Sequence, residues 1–219
     1  NRTYADIERG SVNMRVETIL RICNALHITP DEILTEDAPQ LTMREEELLA
    51  RLNIPFEVIS AEVDESVWGL PEECVCELAQ RKAAAGAEKI GSGWVLAADT
   101  LVFLDGVPQG KPGTAERAKQ TLRSLSGKTH TVMTGMCLRH TDGRSYTRCD
   151  QAQITFDEMT DDEISAYAAS GEPLDKAGAY GIQGLGGQFI REISGDYYAT
   201  VGLSLYGLRK ILKQAGLTD

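Results

Sequence analysis

An aspartate set into an apolar run is the residue in this chain whose type and place most suggest chemistry. Trp94-Val95-Leu96-Ala97-Ala98 has the length and character of a buried strand, and Asp99 closes it. Leu101-Val102-Phe103-Leu104 resumes the run before a turn at Asp105-Gly106. A carboxylate in such surroundings is costly to bury unless it binds a metal, a proton or a cation. Lys111 follows between Gly110 and Pro112, where a constrained backbone fixes the position of its ammonium. One acid and one base on neighbouring rigid pieces suit a metal-bound, negatively charged substrate. The plainer alternative is a turn-forming Asp at a strand end and a surface Lys. Lys82 falls on the apolar side of a helix, as a snorkelling lysine or as a phosphate ligand.

The elements that must hold these residues read as alternating helices and strands. Arg44 to Leu52 has a helical apolar face of Leu48, Leu49 and Leu52, and Ile54 to Ile59 reads as a strand, followed by the acidic loop Glu62 to Ser66. Pro71 opens a long helix through Ala85 that Gly86 can stop. Thr114 caps a helix ended by Ser126-Gly127. Thr129 to Arg139 and Arg144 to Phe156 form a hairpin about Thr141-Asp142-Gly143. Thr160 to Glu163 is a capping box that starts a helix ending near Ser170. A glycine-rich loop from Lys176 to Gly187 precedes a strand, Gln188 to Ile193, and a closing helix, Val201 to Gln214. Its glycines do not match the dinucleotide-binding pattern. The pattern predicts an α/β fold with a mixed sheet and flanking helices.

The 219 residues carry a net charge of −11, with 42% hydrophobic and 25% charged residues, as in an ordinary globular protein. That charge opposes non-specific attraction to nucleic acid or an anionic membrane. No apolar run approaches the ~20 residues of a membrane span. The polar start, NRTYADIERG, reads as no signal peptide, and its lack of Met suggests a fragment or a processed chain. Five scattered cysteines fit a reducing compartment better than a disulfide framework. The expected localisation is therefore cytoplasmic. Cys74-Val75-Cys76 has one intervening residue and no second pair, so it makes a poor zinc motif.

Residues 1–37 read as a short all-α segment, joined at Asp37 to Gln40 to a second domain, 38–219. Val16, Ile19, Leu20, Cys23 and Leu26 stripe one helix, and Thr29-Pro30-Asp31-Glu32 caps another. With the turn Glu8-Arg9-Gly10, the segment resembles the C-terminal half of a lambda-repressor-type helix-turn-helix domain. It bears four arginines against seven acids, so DNA binding through it alone is not expected.

From about Leu41 to Leu217 the chain resembles the Maf family of nucleoside triphosphate pyrophosphatases. The resemblance rests on Glu62 to Ser66, Leu78 to Ala83, Ala98-Asp99-Thr100, Gly110-Lys111-Pro112, Leu125 to His130 and Asp175 to Gly187. It implies an elongated α/β fold with a central cleft and hydrolysis of a nucleotide between its α- and β-phosphates. The implied cofactor is a divalent cation, Mg²⁺ or Mn²⁺, and family members are often homodimers. Gly181-Ile182-Gln183-Gly184 looks like the branch acting on dTTP and UTP. Gln183 can donate and accept at a base edge, whereas the Glu of the branch acting on methylated GTP only accepts.

Carried over residue by residue, the resemblance implies that Asp99 activates the attacking water or holds the metal. Glu65 is the second carboxylate for that metal. Lys82 and Lys111 neutralise the triphosphate, and Lys176 and Gln183 line the nucleotide end. The family's SxSPRR phosphate loop falls on Gln40 to Glu45, where only Arg44 keeps its type and Thr42 keeps a hydroxyl. Ala199 and Ser204 stand where the family usually has Asn and Pro. A lost charged hydrogen bond costs ~1.5–3 kcal/mol, so the degenerate loop could remove ~10³-fold in rate. The expectation is a weakened dTTP/UTP pyrophosphatase. The alternatives are an inactive nucleotide-binding relative and a DNA-binding regulator acting through residues 1–37.

Overall fold

The computed structural model describes Leu49, residues 56–60 and residues 62–218. The expected helical segment 1–37, the joint at Asp37 to Gln40, the loop Gln40 to Glu45 with Arg44, and most of the helix at 44–52 lie outside the described residues. Phe56 to Ser60 form no strand, contrary to the sequence reading.

Helix α1 (Pro71–Ala87) starts with Pro at its first turn, and the Glu73 carboxylate accepts from the Leu70 amide at 3.1 Å. It lies on one face of a sheet of five strands among the described residues. The strands are β1 (Trp94–Leu104), β2 (Val107–Gln109), β3 (Thr129–His140), β4 (Ser145–Phe156) and β5 (Ile190–Gly195), in spatial order β2-β1-β3-β4-β5. Every pairing among these strands is antiparallel, where the sequence pattern predicts a mixed sheet. The physical reason is the two-residue turn Asp105-Gly106, with φ of 52° and 77°. It reverses the chain into β2 before helix α2 (Ala115–Leu125) carries it across β1. Thus β2 and β3 run the same way with β1 between them, and no parallel pair forms among the described residues.

The sheet's other face is covered in two parts. Near β2 and the end of β1, α2 and helix α3 (Asp161–Ala169) pack on Val102, Leu104, Val132, Ile154 and Phe156. Toward the start of β1, helix α5 (Leu205–Gln214) packs through Leu208 and Ile211 on Met136 and Leu138. A short helix, α4 (Tyr197–Val201), precedes α5, and the expected closing helix, Val201 to Gln214, forms only from Leu205. Gly202, at φ 115°, ends the first, and the Ser204 hydroxyl caps the second by accepting from the Gly207 amide at 2.8 Å. Caps read from sequence behave as expected at Thr114 and Thr160, which accept from Arg117 and Glu163 amides.

Candidate active site

Strand β1 is continuous through Asp99, so the acid lies in mid-strand and not at a strand end. Its cross-strand partner is Gly135 on β3, and Gly135 pairs in turn with Cys149 on β4. This row lies beneath α1. A Cβ added at Gly135 would come within 2.2 Å of the Val75 carbonyl oxygen, so the missing side chain lets α1 sit directly on the sheet. Alternation along β1 then sends Asp99 toward α1 and Thr100 to the opposite face. There the Thr100 hydroxyl meets the Thr134 hydroxyl at 2.6 Å, and Thr134 donates to the Ala199 carbonyl.

Lys82 descends from α1 and ion-pairs with Asp99 Oδ1, while Glu65 Oε1 approaches the same ammonium at 3.1 Å. The side chains of Asp99 and Lys82 are 12% and 23% exposed, and that of Glu65 is 64% exposed. One ammonium therefore bridges a sunken acid and an open one. Burial pushes the Asp99 carboxyl above its ordinary range; Lys82 opposes that shift, Glu65 adds to it, and Lys111 opposes it weakly. Burial disfavours the Lys82 ammonium, yet hydrogen bonds and charge from Asp99 and Glu65 outweigh it and hold Lys82 charged. A base raised in this way accepts a proton more readily than an exposed Asp.

Arg81, which the sequence reading did not single out, fixes the loop that brings Glu65 in. Its guanidinium donates to the Asp64 and Ser66 carbonyls at 2.7 and 2.8 Å, and it also pairs with Glu77. The signal was an Arg directly before Lys82. It was masked by the fact that its targets are backbone oxygens.

Lys111 is exposed and lies close enough for its charge to act on both Asp99 and Asp175. The Gly113 amide donates to the Leu174 carbonyl at 2.9 Å, tying the Lys111 segment to the loop that bears Lys176. Lys176 pairs with Asp175 at 3.0 Å. Gln183 stands in a turn closed by the Gly184 amide on the Gly181 carbonyl at 3.2 Å, and has no side-chain hydrogen bond among the described residues. The structure thus brings Lys82, Glu65 and Asp99 into contact and sets the Lys111 charge within range of Asp99, while Lys176 stands on the loop tied to the Lys111 segment. Arg44 lies outside the described residues.

Behind this loop, His130 of β3 meets the Tyr180 hydroxyl at 2.8 Å and packs edge-on against Phe156 and Tyr180. Burial lowers the His130 pKa to about 4, so the ring stays neutral. Two cavities lined by described residues lie elsewhere. One of about 520 Å³ is bordered by Glu72, Asp150, Asp196 and Tyr206, and one of about 850 Å³ by apolar residues including Trp94 and Leu208. Neither contains Asp99.

A sunken acid, a second carboxylate and the ammonium that bridges them, with the Lys111 charge in range, suit an anionic, phosphate-bearing ligand. The Maf-like protein family matches residues 42–215, and the chain belongs to the Maf family. It is similar to a "dTTP/UTP pyrophosphatase" of Bacillus cytotoxicus, 46% identical over 173 residues that cover 78% of this chain and 90% of the relative. Relatives of the same printed name from Bacillus cereus strain AH820 and Bacillus anthracis match at the same identity and coverage. No helix among the described residues is long and apolar enough to cross a membrane.

Proposed function

We propose that this chain is a nucleoside triphosphate pyrophosphatase that converts dTTP or UTP, or a modified pyrimidine triphosphate, to the monophosphate and pyrophosphate. The observation that carries this reading is the Lys82 ammonium held between Asp99 and Glu65 within reach of the Lys111 charge. The 46% identity to relatives named for dTTP and UTP supports the choice of base.

In this mechanism Asp99 takes the proton of the attacking water as the bond between the α- and β-phosphates breaks. Its raised basicity and mid-strand rigidity suit that task. Lys82 moves from the carboxylates to phosphate oxygens, and Lys111 neutralises the charge that develops on departing pyrophosphate. Lys176 and Gln183 hold the nucleotide end, and Arg44 contributes from the degenerate phosphate loop.

Among the described residues no three His, Cys, Asp or Glu side chains gather as a ready-made metal cage. Two hard carboxylate ligands nevertheless suit Mg²⁺ or Mn²⁺, which commonly take one or two carboxylates and complete their shell with water and substrate phosphate. Asp99 and Glu65 would hold the ion, which when bound supplies positive charge to polarise the phosphate oxygens. The proposed setting is the cytoplasm, with a homodimer as the assembly.

A second reading, a nucleotide-binding relative with little turnover, draws on the substitutions at Gln40 to Glu45, where Glu45 repels triphosphate. Pyrophosphate release from a nucleotide panel, with Mg²⁺ or Mn²⁺ and with chelator, separates the two. The enzyme reading expects metal-dependent release from dTTP and UTP that Asp99→Asn abolishes. If no nucleotide yields pyrophosphate while dUTP still raises the melting temperature, the second reading replaces the first.

A further inference from the structure

The Glu172 carboxylate gathers the backbone of the loop that carries Gln183, and none of its partners among the described residues is a lysine or arginine. Its Oε2 accepts from the Leu185 amide at 2.8 Å, and its Oε1 accepts from the Gly186 amide at 3.1 Å and from the Tyr167 hydroxyl at 2.8 Å. The same hydroxyl accepts from the Gly181 amide at 3.1 Å. One carboxylate and one phenol thus gather three amides of a six-residue stretch, Gly181 to Gly186. A turn closed between Gly181 and Gly184 lies inside that stretch, with Gln183 in its tip.

The glycines of the stretch take their meaning from this acid. A Cβ on Gly184 would lie 2.5 Å from Glu172 Oε2, one on Gly181 would lie 3.0 Å from Oε1, and one on Gly186 would lie 2.6 Å from the Tyr167 oxygen. Gly184 has φ −107°, a value open to any residue, so the requirement there is room for the carboxylate and not backbone freedom. Ile182 packs against the core beneath the sheet, while Gln183 beside it is left without a side-chain bond among the described residues. The Lys176 stem runs along Gly181, but its ammonium pairs with Asp175, which leaves Glu172 to the amides.

We propose that Glu172, relayed by Tyr167, is the positioning residue that sets the Gln183 carboxamide against the nucleobase, and so governs base selection without touching substrate. This rests on the reading of Gln183 as the base-contacting residue of a pyrimidine triphosphatase. Fixed amide donors around a carboxylate define one loop geometry, whereas a Gln at 172 offers an NH₂ to donors that need an acceptor.

The test compares wild type, Glu172→Gln and Tyr167→Phe in the full chain. Expected for Glu172→Gln is a rise of about tenfold or more in KM for dTTP and UTP, the effect of one lost charge-assisted hydrogen bond, with kcat within about threefold. The preference for dTTP over dCTP and dGTP falls by the same factor. The inhibition constant of inorganic tripolyphosphate, which has no base, stays unchanged. Tyr167→Phe shifts the same quantities in the same direction by a smaller factor, and serves alone if Glu172→Gln does not fold. Unchanged base preference in both variants overturns the proposal, as does an equal loss of tripolyphosphate affinity, which marks general loosening of the site. If wild type shows no turnover, the dissociation constant of α,β-imido-dUTP is measured on the same proteins. Selective weakening in the variants then supports the positioning role while the catalytic reading falls, and equal binding by all three, or none by wild type, removes the positioning role.

Discussion

Asp99 and Glu172 are both carboxylates drawn into the protein, and the structure compensates them in opposite ways. Asp99, in mid-strand, is met by mobile ammonium groups: Lys82 in contact and Lys111 at a distance. Glu172 is met by backbone amides and a phenol that cannot leave. An ammonium on a flexible stem can be handed to an arriving phosphate, which frees the acid for a proton. Amides fixed in a folded loop cannot be handed over, so the acid they surround can only hold shape. The nature of the counter-charge thus separates an acid suited to reaction from one suited to scaffolding.

The largest way to break this contrast is Asp99→Asn. Loss of a positioned general base is expected to lower kcat by about 10²–10⁴-fold, read as pyrophosphate release, with the fold retained by circular dichroism. If Asp99→Asn retains full turnover, the division of labour between the two acids is wrong. Lys82→Met comes next. Its expected effect is a loss of about 10–10³-fold in kcat/KM, from a removed charge-assisted contact in the transition state. Because Lys82 opposes the burial that raises Asp99, the acid limb of the pH–rate profile should also move to higher pH in this variant. An unmoved limb would separate the titrating group from Asp99.

Gly184→Ala sharpens the other half of the comparison. Its methyl would meet Glu172 Oε2 at 2.5 Å, so the loop must shift, and a KM rise of about tenfold with little change in kcat is expected. A fourth experiment concerns stability and leaves chemistry aside. The folded protein holds the His130 pKa at about 4, below the unfolded 6.5, so the fold disfavours its protonation. The stability conferred by the neutral ring is present above pH 6.5 and is lost as pH falls toward 4, by up to about 3 kcal/mol. Urea midpoints from pH 7.5 to 4.5 should fall more steeply for wild type than for His130→Phe, and parallel curves would contradict the assignment.

Much of the reactive half was legible in sequence because buried charge is conspicuous against apolar residues. Asp99 interrupts Trp94 to Leu104, and Lys82 interrupts a helical face, so both stand out in the sequence. Caps at Thr114 and Thr160 were legible for a similar reason, since their side chains do local work. Glu172 was not, because its partners are backbone amides, which every sequence contains and none displays. The sheet order escaped as well: periodicity reports which face a residue takes, but not that α2 steps over β1. Gly202 hid inside an amphipathic pattern that continued beyond it, so the closing helix was expected from Val201 where it begins at Leu205.

The close seating of α1 on Gly135 carries a last consequence. The helix that delivers Lys82 rests on bare backbone at the very row that bears Asp99, so the reach from ammonium to acid is calibrated by the smallest residue available. Any side chain at that position must lift the helix or tilt it, and the catalytic pair would part without either member being altered. Variation at a residue with no functional group can therefore silence this site as thoroughly as variation at the acid.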